Sequence, residues 1–210
     1  RVRDGGHEFS YWRSALPNAL HFISDSFEGE PYRGDVVQQG KKKKYPKPDM
    51  MYKGNYVVVF PPGYDVASRR FPTVYLFGDM EDSRKQAIAG LAHQGMIEGT
   101  LPPLILVFLS ENEKNLVDQI IPELESGSNA RSGYRFRALM GFEEGGVAAL
   151  RYAMMPETFT SCTLFDAPID TSMLRDALSV NKSVMKKTWL LISNTDTDLD
   201  YASNGYAHIL

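Results

Sequence analysis

The residues that bear most directly on chemistry are Gly141-Phe142-Glu143-Glu144-Gly145-Gly146, which follow an apolar run and open an amphipathic stretch that ends near Met154. Small residues around one polar position, between a strand and a helix, suit a sharp turn that lifts a reactive side chain clear of a sheet. The two backbones approach so closely there that larger side chains would collide. In hydrolytic enzymes such a turn carries a hydroxyl nucleophile, whose proton passes to a histidine while N–H donors hold the developing oxyanion. Here the position reads Glu143. A carboxylate can act as a covalent nucleophile, so two readings stay open: an acid that does the chemistry, or a turn whose chemistry is gone. Ser132 and Ser161 are the nearby candidates for a displaced serine.

Other chemistry is thinly represented. His21, His93 and His208 show no spacing for a shared metal and read as surface or satisfied helix residues. Cys162 is the only cysteine, which excludes an intrachain disulfide and a thiolate cluster. No metal and no cofactor is expected.

The elements that must position the turn are regular. Residues 55–60, 73–77, 104–109, 134–140, 161–165 and 188–192 read as strands, several of them apolar on both faces. The stretches 83–97, 114–125, 144–154 and 199–209 are long enough for helices. Both-face burial requires cover on both sides, so the fold class is α/β: a mostly parallel sheet between two helical layers. The first strand precedes the turn cluster Pro61-Pro62-Gly63-Tyr64-Asp65 and is placed at an antiparallel edge. Residues 28–50, rich in Gly and Pro and carrying Lys41-Lys42-Lys43-Lys44, read as a solvated linker with a basic contact patch as the alternative.

Several pieces together resemble the esterase branch of the α/β-hydrolase superfamily, the group with feruloyl and acetyl-xylan esterases and S-formylglutathione hydrolases. They are Tyr56 to Tyr64 (YVVVFPPGY), Phe71 to Phe77 (FPTVYLF), Leu101 to Phe108 (LPPLILVF), Ile121 to Leu124 (IPEL) and the 141–146 turn with its following Ala148-Ala149-Leu150-Arg151. They cover most of the chain. The resemblance implies an α/β-hydrolase fold and a nucleophile elbow at Glu143. It also implies a catalytic histidine at His7, since Asp4-Gly5-Gly6-His7-Glu8-Phe9-Ser10-Tyr11-Trp12 is similar to the segment that ends this family and leads into its last helix, here about Ser10 to Phe27. Tyr11 and Trp12 would be packing residues of that helix. In this chain the segment comes first, which implies a circularly permuted order, or a chain that cuts across a tandem array. The division is then 1–27, the last strand and helix; 28–50, the linker; and 51–210, the main body, with Arg1-Val2-Arg3 completing the sheet edge.

The same comparison puts the orienting acid at Asp198, with Asp196 second, in Asn194-Thr195-Asp196-Thr197-Asp198. Both acids also suit the N-cap of a helix beginning near Leu199. Where the family has a His-Gly-rich oxyanion loop, this chain reads Gly78-Asp79-Met80-Glu81-Asp82: the histidine is missing and acids crowd the entrance. Gly78, Asp79 and Glu144 are the expected binding residues. An aspartate occupies the elbow of the haloalkane dehalogenases of this superfamily, but Glu143 is one methylene longer and the chain shows no signature of halide donors.

Composition agrees with a single soluble domain: 210 residues, 43% hydrophobic and 23% charged. A formal charge of −3 gives no global attraction to nucleic acid or anionic lipid, no run is long enough to span a bilayer, and the chain does not open on a signal peptide. The compartment stays open. The expectation is an esterase-like domain, inactive as a serine esterase because losing the nucleophile costs on the order of a millionfold. It would bind a carbohydrate or acyl-ester ligand, or pack against a neighbouring protein domain. The alternative is an active carboxylic-ester hydrolase, acting on carbohydrate-linked esters through Glu143 or a displaced serine.

Overall fold

The computed structural model describes residues 9–29, 46–66, 69–183 and 188–193, with the side chains of 9–14, 66 and 181–183 outside the description. His7, Asp196, Asp198, His208, the Arg1-Val2-Arg3 edge, the lysine run and the 199–209 helix lie outside the described residues. The elements in chain order are α1 (Phe9–Glu28), β1 (Met51–Lys53), β2 (Tyr56–Val59), β3 (Thr73–Phe77), α2 (Asp82–Glu98), β4 (Ile105–Leu109), α3 (Ile121–Gly127), β5 (Arg137–Phe142), α4 (Glu144–Ala153), β6 (Ser161–Phe165), α5 (Thr171–Ser183) and β7 (Trp189–Ser193).

The strands form one seven-stranded sheet in the order β1-β2-β4-β3-β5-β6-β7. β1 and β2 are antiparallel to their neighbours, and β4, β3, β5, β6 and β7 run parallel. The five residues of β3 show why apolar runs were legible as strands. Val74 and Leu76 enter one buried cluster with α1 and α2, while Tyr75 and Phe77 enter the other with α3, α4 and α5. Alternate side chains of a strand point to opposite faces, so a strand covered on both sides must be apolar throughout. This is the expected three-layer α/β-hydrolase architecture.

Helix α1 buries Ala15, Leu16, Ala19, Leu20, Ile23 and Phe27 along one stripe and packs against α2, β6 and β7. Helix α2 ends at Gly99, whose φ of 74° lets the amides of Thr100 and Leu101 turn back to the Gly95 carbonyl.

Two local expectations need correction, and two further elements are present. Tyr134–Phe136 is a 3-10 turn, and the strand starts only at Arg137; Gly133 at φ 104° bends the chain just before it. The single helix expected over 114–125 is divided into a π-helical turn, Leu116–Ile120, and α3. Pro122 has no N–H and its ring crowds the carbonyl four residues back, so widening the preceding turn relieves the clash. Strand β1 was not foreseen: three exposed residues carry no alternation, and the hairpin is set by Gly54 at φ 59°. Nor was α5, which Asp170 caps by accepting from Ser172 Oγ and the Met173 amide.

Candidate active site

The turn after β5 is held by backbone geometry. Glu143 has φ 50° and ψ −128°, a conformation that costs a residue bearing a Cβ about 1–3 kcal/mol. Its amide donates to the Phe165 carbonyl at 2.9 Å, and the Gly146 amide donates to the Glu143 carbonyl at 2.9 Å. A Cβ on Gly145 would stand 2.5 Å from the carbonyl carbon and oxygen of Phe77, and one on Gly146 would overlap Ala167. Helix α4 can therefore leave the sheet at this angle only with glycine at both positions. The Glu143 side chain is half-buried and that of Glu144 is exposed.

Beside the turn, Phe142 and Phe165 stack with centroids 5.1 Å apart and planes 9° from parallel. Their register pairing puts the next residues, Glu143 and Asp166, at the C-terminal ends of adjacent strands, which lie about 4.8 Å apart. Asp166 also has a left-handed backbone, φ 48°, and its amide donates to the Ser193 carbonyl. Asp166 carries no motif that singles it out in the sequence. The available signal was an acid directly after a parallel strand, where ligand sites of open α/β sheets gather.

The loop after β3 bears on the oxyanion side. The Gly78 amide donates to the Leu109 carbonyl at 3.2 Å, so it is turned into the sheet. Met80 is buried, and its methyl stands 2.9 Å from where a Gly78 Cβ would be. Asp79 is exposed. Behind this edge sits the buried carboxylate of Glu113, which accepts from Asn55 Nδ2 and, at 2.7 Å, from the Asn115 amide; Tyr152 Oη donates to the Glu113 carbonyl at 3.2 Å. These bonds tie the β1–β2 hairpin to the loop beyond β4.

The remaining sequence candidates are elsewhere. Ser161 is fully buried and pairs in register with Ala138, four residues below Phe142, or roughly 13 Å along the strand. Its Oγ lies 2.9 Å from Ser26 Oγ, which itself donates to the Ile23 carbonyl, so Ser161 is the donor of that pair. Ser132 is exposed and precedes the N-terminal end of β5. Neither serine reaches the turn at Glu143, which corrects the expectation of a displaced nucleophile. His93 is buried, donates from Nε2 to the Phe60 carbonyl at 2.8 Å and is held by burial below the usual histidine range. His21 is likewise shifted down by burial. Burial pushes the Cys162 thiol far up, so it supplies no thiolate. Among the described residues, no three His, Cys, Asp or Glu side chains could hold a metal, and no helix is long and apolar enough to cross a membrane.

The fold is that of an α/β-hydrolase-type domain, and solved structures carry that likeness. A protein designated FAE superposes with a TM-score of 0.58 at 15% identity over 72% of this chain and 69% of its own. The feruloyl esterase module from Clostridium thermocellum, solved as a mutant with sinapinate, gives 0.54 at 15% identity over 70% of this chain and 65% of its own. An IroE-like serine hydrolase from Shewanella oneidensis gives 0.50 at 18% identity over 66% of this chain and 55% of its own. The chain thus spans about two thirds of the feruloyl esterase module and about half of the IroE-like hydrolase. No family model matches the chain, and no curated protein does.

Proposed function

We propose that this chain is an esterase-like module that has lost serine-esterase chemistry and keeps the site as a surface for binding a ligand or packing against a neighbouring domain. The observation that carries the reading is Glu143: a left-handed backbone at the strand-to-helix turn, bearing a carboxylate where a hydroxyl nucleophile would stand. The loop after β3 supports it, since the Gly78 amide is committed to Leu109 and Met80 fills the adjoining space. A developing oxyanion would find the Gly78 donor already committed, and one donor is typically worth about 3 kcal/mol. By resemblance, His7 and Asp198 are the base and its orienting acid; in this reading His7 pairs with Glu143 and closes the old pocket. The sinapinate held by the clostridial module makes an aromatic acyl group the first ligand to try, with carbohydrate-linked acyl esters as the wider class.

The test is turnover of p-nitrophenyl acetate by the parent chain, Glu143→Ser and Glu143→Ala. Background rates in the parent and the alanine variant, with turnover appearing in the serine variant, are expected. Turnover in the parent that vanishes in Glu143→Ala would instead make Glu143 the nucleophile of an active hydrolase.

The permuted order belongs to the same proposal. Helix α1, although first in the chain, packs on β6 and β7 beside α2, a position suited to the helix that ends the family's fold. A re-ordered chain that starts at residue 46 and carries residues 1–29 after Leu210, through a short linker, is expected to fold as a monomer with an unchanged circular dichroism spectrum. Failure to fold, or exchange of α1 between copies in the parent, would count against it.

A further inference from the structure

Arginines gather at the end of the sheet opposite Glu143. Arg69, Arg70 and Arg131 are exposed and make no ion pair among the described residues. The segments that carry them are joined by a parallel bridge, Phe71↔Ala130. The Phe71 amide donates to Asn129 and the Arg131 amide to Phe71, both at 2.7 Å. Phe71 and Ala130 are buried, and alternate residues of an extended segment point opposite ways, so Arg70 and Arg131 project outward on a common side.

Their side chains are partly ordered in advance. The Arg131 guanidinium lies 3.7 Å from the Phe136 ring centroid and that of Arg69 lies 5.4 Å from the Phe71 centroid. Arg70 Nη1 reaches the Ala130 carbonyl at 3.4 Å. Stacking on a ring leaves the N–H edges of a guanidinium to solvent and lowers the ordering cost of binding. Glu125, on the helix that leads into this segment, is already taken by Arg137 through bonds of 2.7 and 2.9 Å.

We propose that this patch docks an acidic polypeptide segment, taking its Asp or Glu carboxylates in bidentate arginine pairs. The patch is built of arginine rather than lysine, and the planar fork matches a carboxylate and gives up its hydration more readily than an ammonium does. A long nucleic acid fits less well, because the chain as a whole carries a formal charge of −3. The site is separate from the turn at Glu143 and does not depend on whether that turn is active.

The experiment is fluorescence anisotropy of a short labelled poly-glutamate peptide at low salt. Arg70→Gln with Arg131→Gln is expected to weaken binding by at least about tenfold. Arg151→Gln with Arg175→Gln, an equal change of charge at exposed arginines of α4 and α5, should leave it within about twofold. Arg70→Lys with Arg131→Lys keeps the charge and loses the fork, and should weaken binding with an unchanged thermal midpoint, which separates lost docking from lost folding. The proposal is overturned if the parent does not bind, if both glutamine pairs lose equally, if the lysine pair binds as the parent does, or if a labelled oligonucleotide binds more tightly than the peptide through the same residues.

Discussion

The two ends of the parallel strands are built by different means. At the C-terminal end the backbone itself is under constraint: Glu143 and Asp166 have left-handed φ values, and Gly145 and Gly146 admit no Cβ. At the N-terminal end one left-handed turn residue, Glu157 at φ 56°, precedes β6, and side chains do much of the holding, through the Arg137–Glu125 pair, the Ser26–Ser161 bond and Thr188 Oγ1 donating to the Phe159 carbonyl at 2.9 Å. Strain persists only where surrounding structure over-determines it, and it collects at functional sites. The other end carries its capacity for recognition in exposed, charged side chains.

The contrast makes predictions that differ in size. The largest belongs to the constrained end. Gly145→Ala drives a Cβ into the Phe77 backbone and should cost on the order of 3–5 kcal/mol in urea unfolding, or prevent folding. Gly127→Ala, where a Cβ would meet nothing within 4 Å, should be close to neutral. Comparable losses at the two glycines would erase the distinction.

Next is Glu113→Ala, which strips partners from the Asn115 amide and Asn55 and should cost about 2–3 kcal/mol; Glu113→Gln, keeping shape and one acceptor, should lose less. At the side-chain end, Arg137→Ala should cost only about 1–2 kcal/mol, because both members of the pair keep some contact with water. A loss there exceeding that of Gly145→Ala would invert the comparison.

The smallest effect is set by pH. His93 is neutral and donating in the fold, and its folded pKa lies below its ordinary value of 6.5. The unfolded chain therefore binds the proton first. Stability is full above 6.5 and falls as pH drops from there toward the folded pKa, with His21 acting in the same direction. Asp82 and Asp170 are lowered from 3.8 by their hydrogen bonds, so they titrate well below this window. The urea midpoint should decline as pH falls below about 6.5 in the parent and less in His93→Gln; equal slopes would remove His93 from the account.

Much of the fold was legible because burial on both faces writes itself into composition. Thr73–Phe77 and Ser161–Phe165 are legible with the observed bounds, and Glu143 falls at the turn by its glycine neighbours together with the apolar run before and the amphipathic stretch after them. Tyr134–Phe136 misled because aromatic residues suit a strand as well as a turn, and the choice fell to the conformation at Gly133. Asp166 stayed hidden because its interest lies in standing beside Glu143, and strand register is a pairing between distant segments.

The sequence by itself determined the layers, the parallel sheet and the carboxylate at the turn, because these follow from side-chain type and local spacing. Only the tertiary structure decided that Ser161 lies deep at the far end of its strand and that the Gly78 amide turns into the sheet. It alone brought Arg70 and Arg131 to one side of a bridge. Each of these depends on which distant backbones meet and in what register, and that is fixed by how the whole core packs rather than by any one segment.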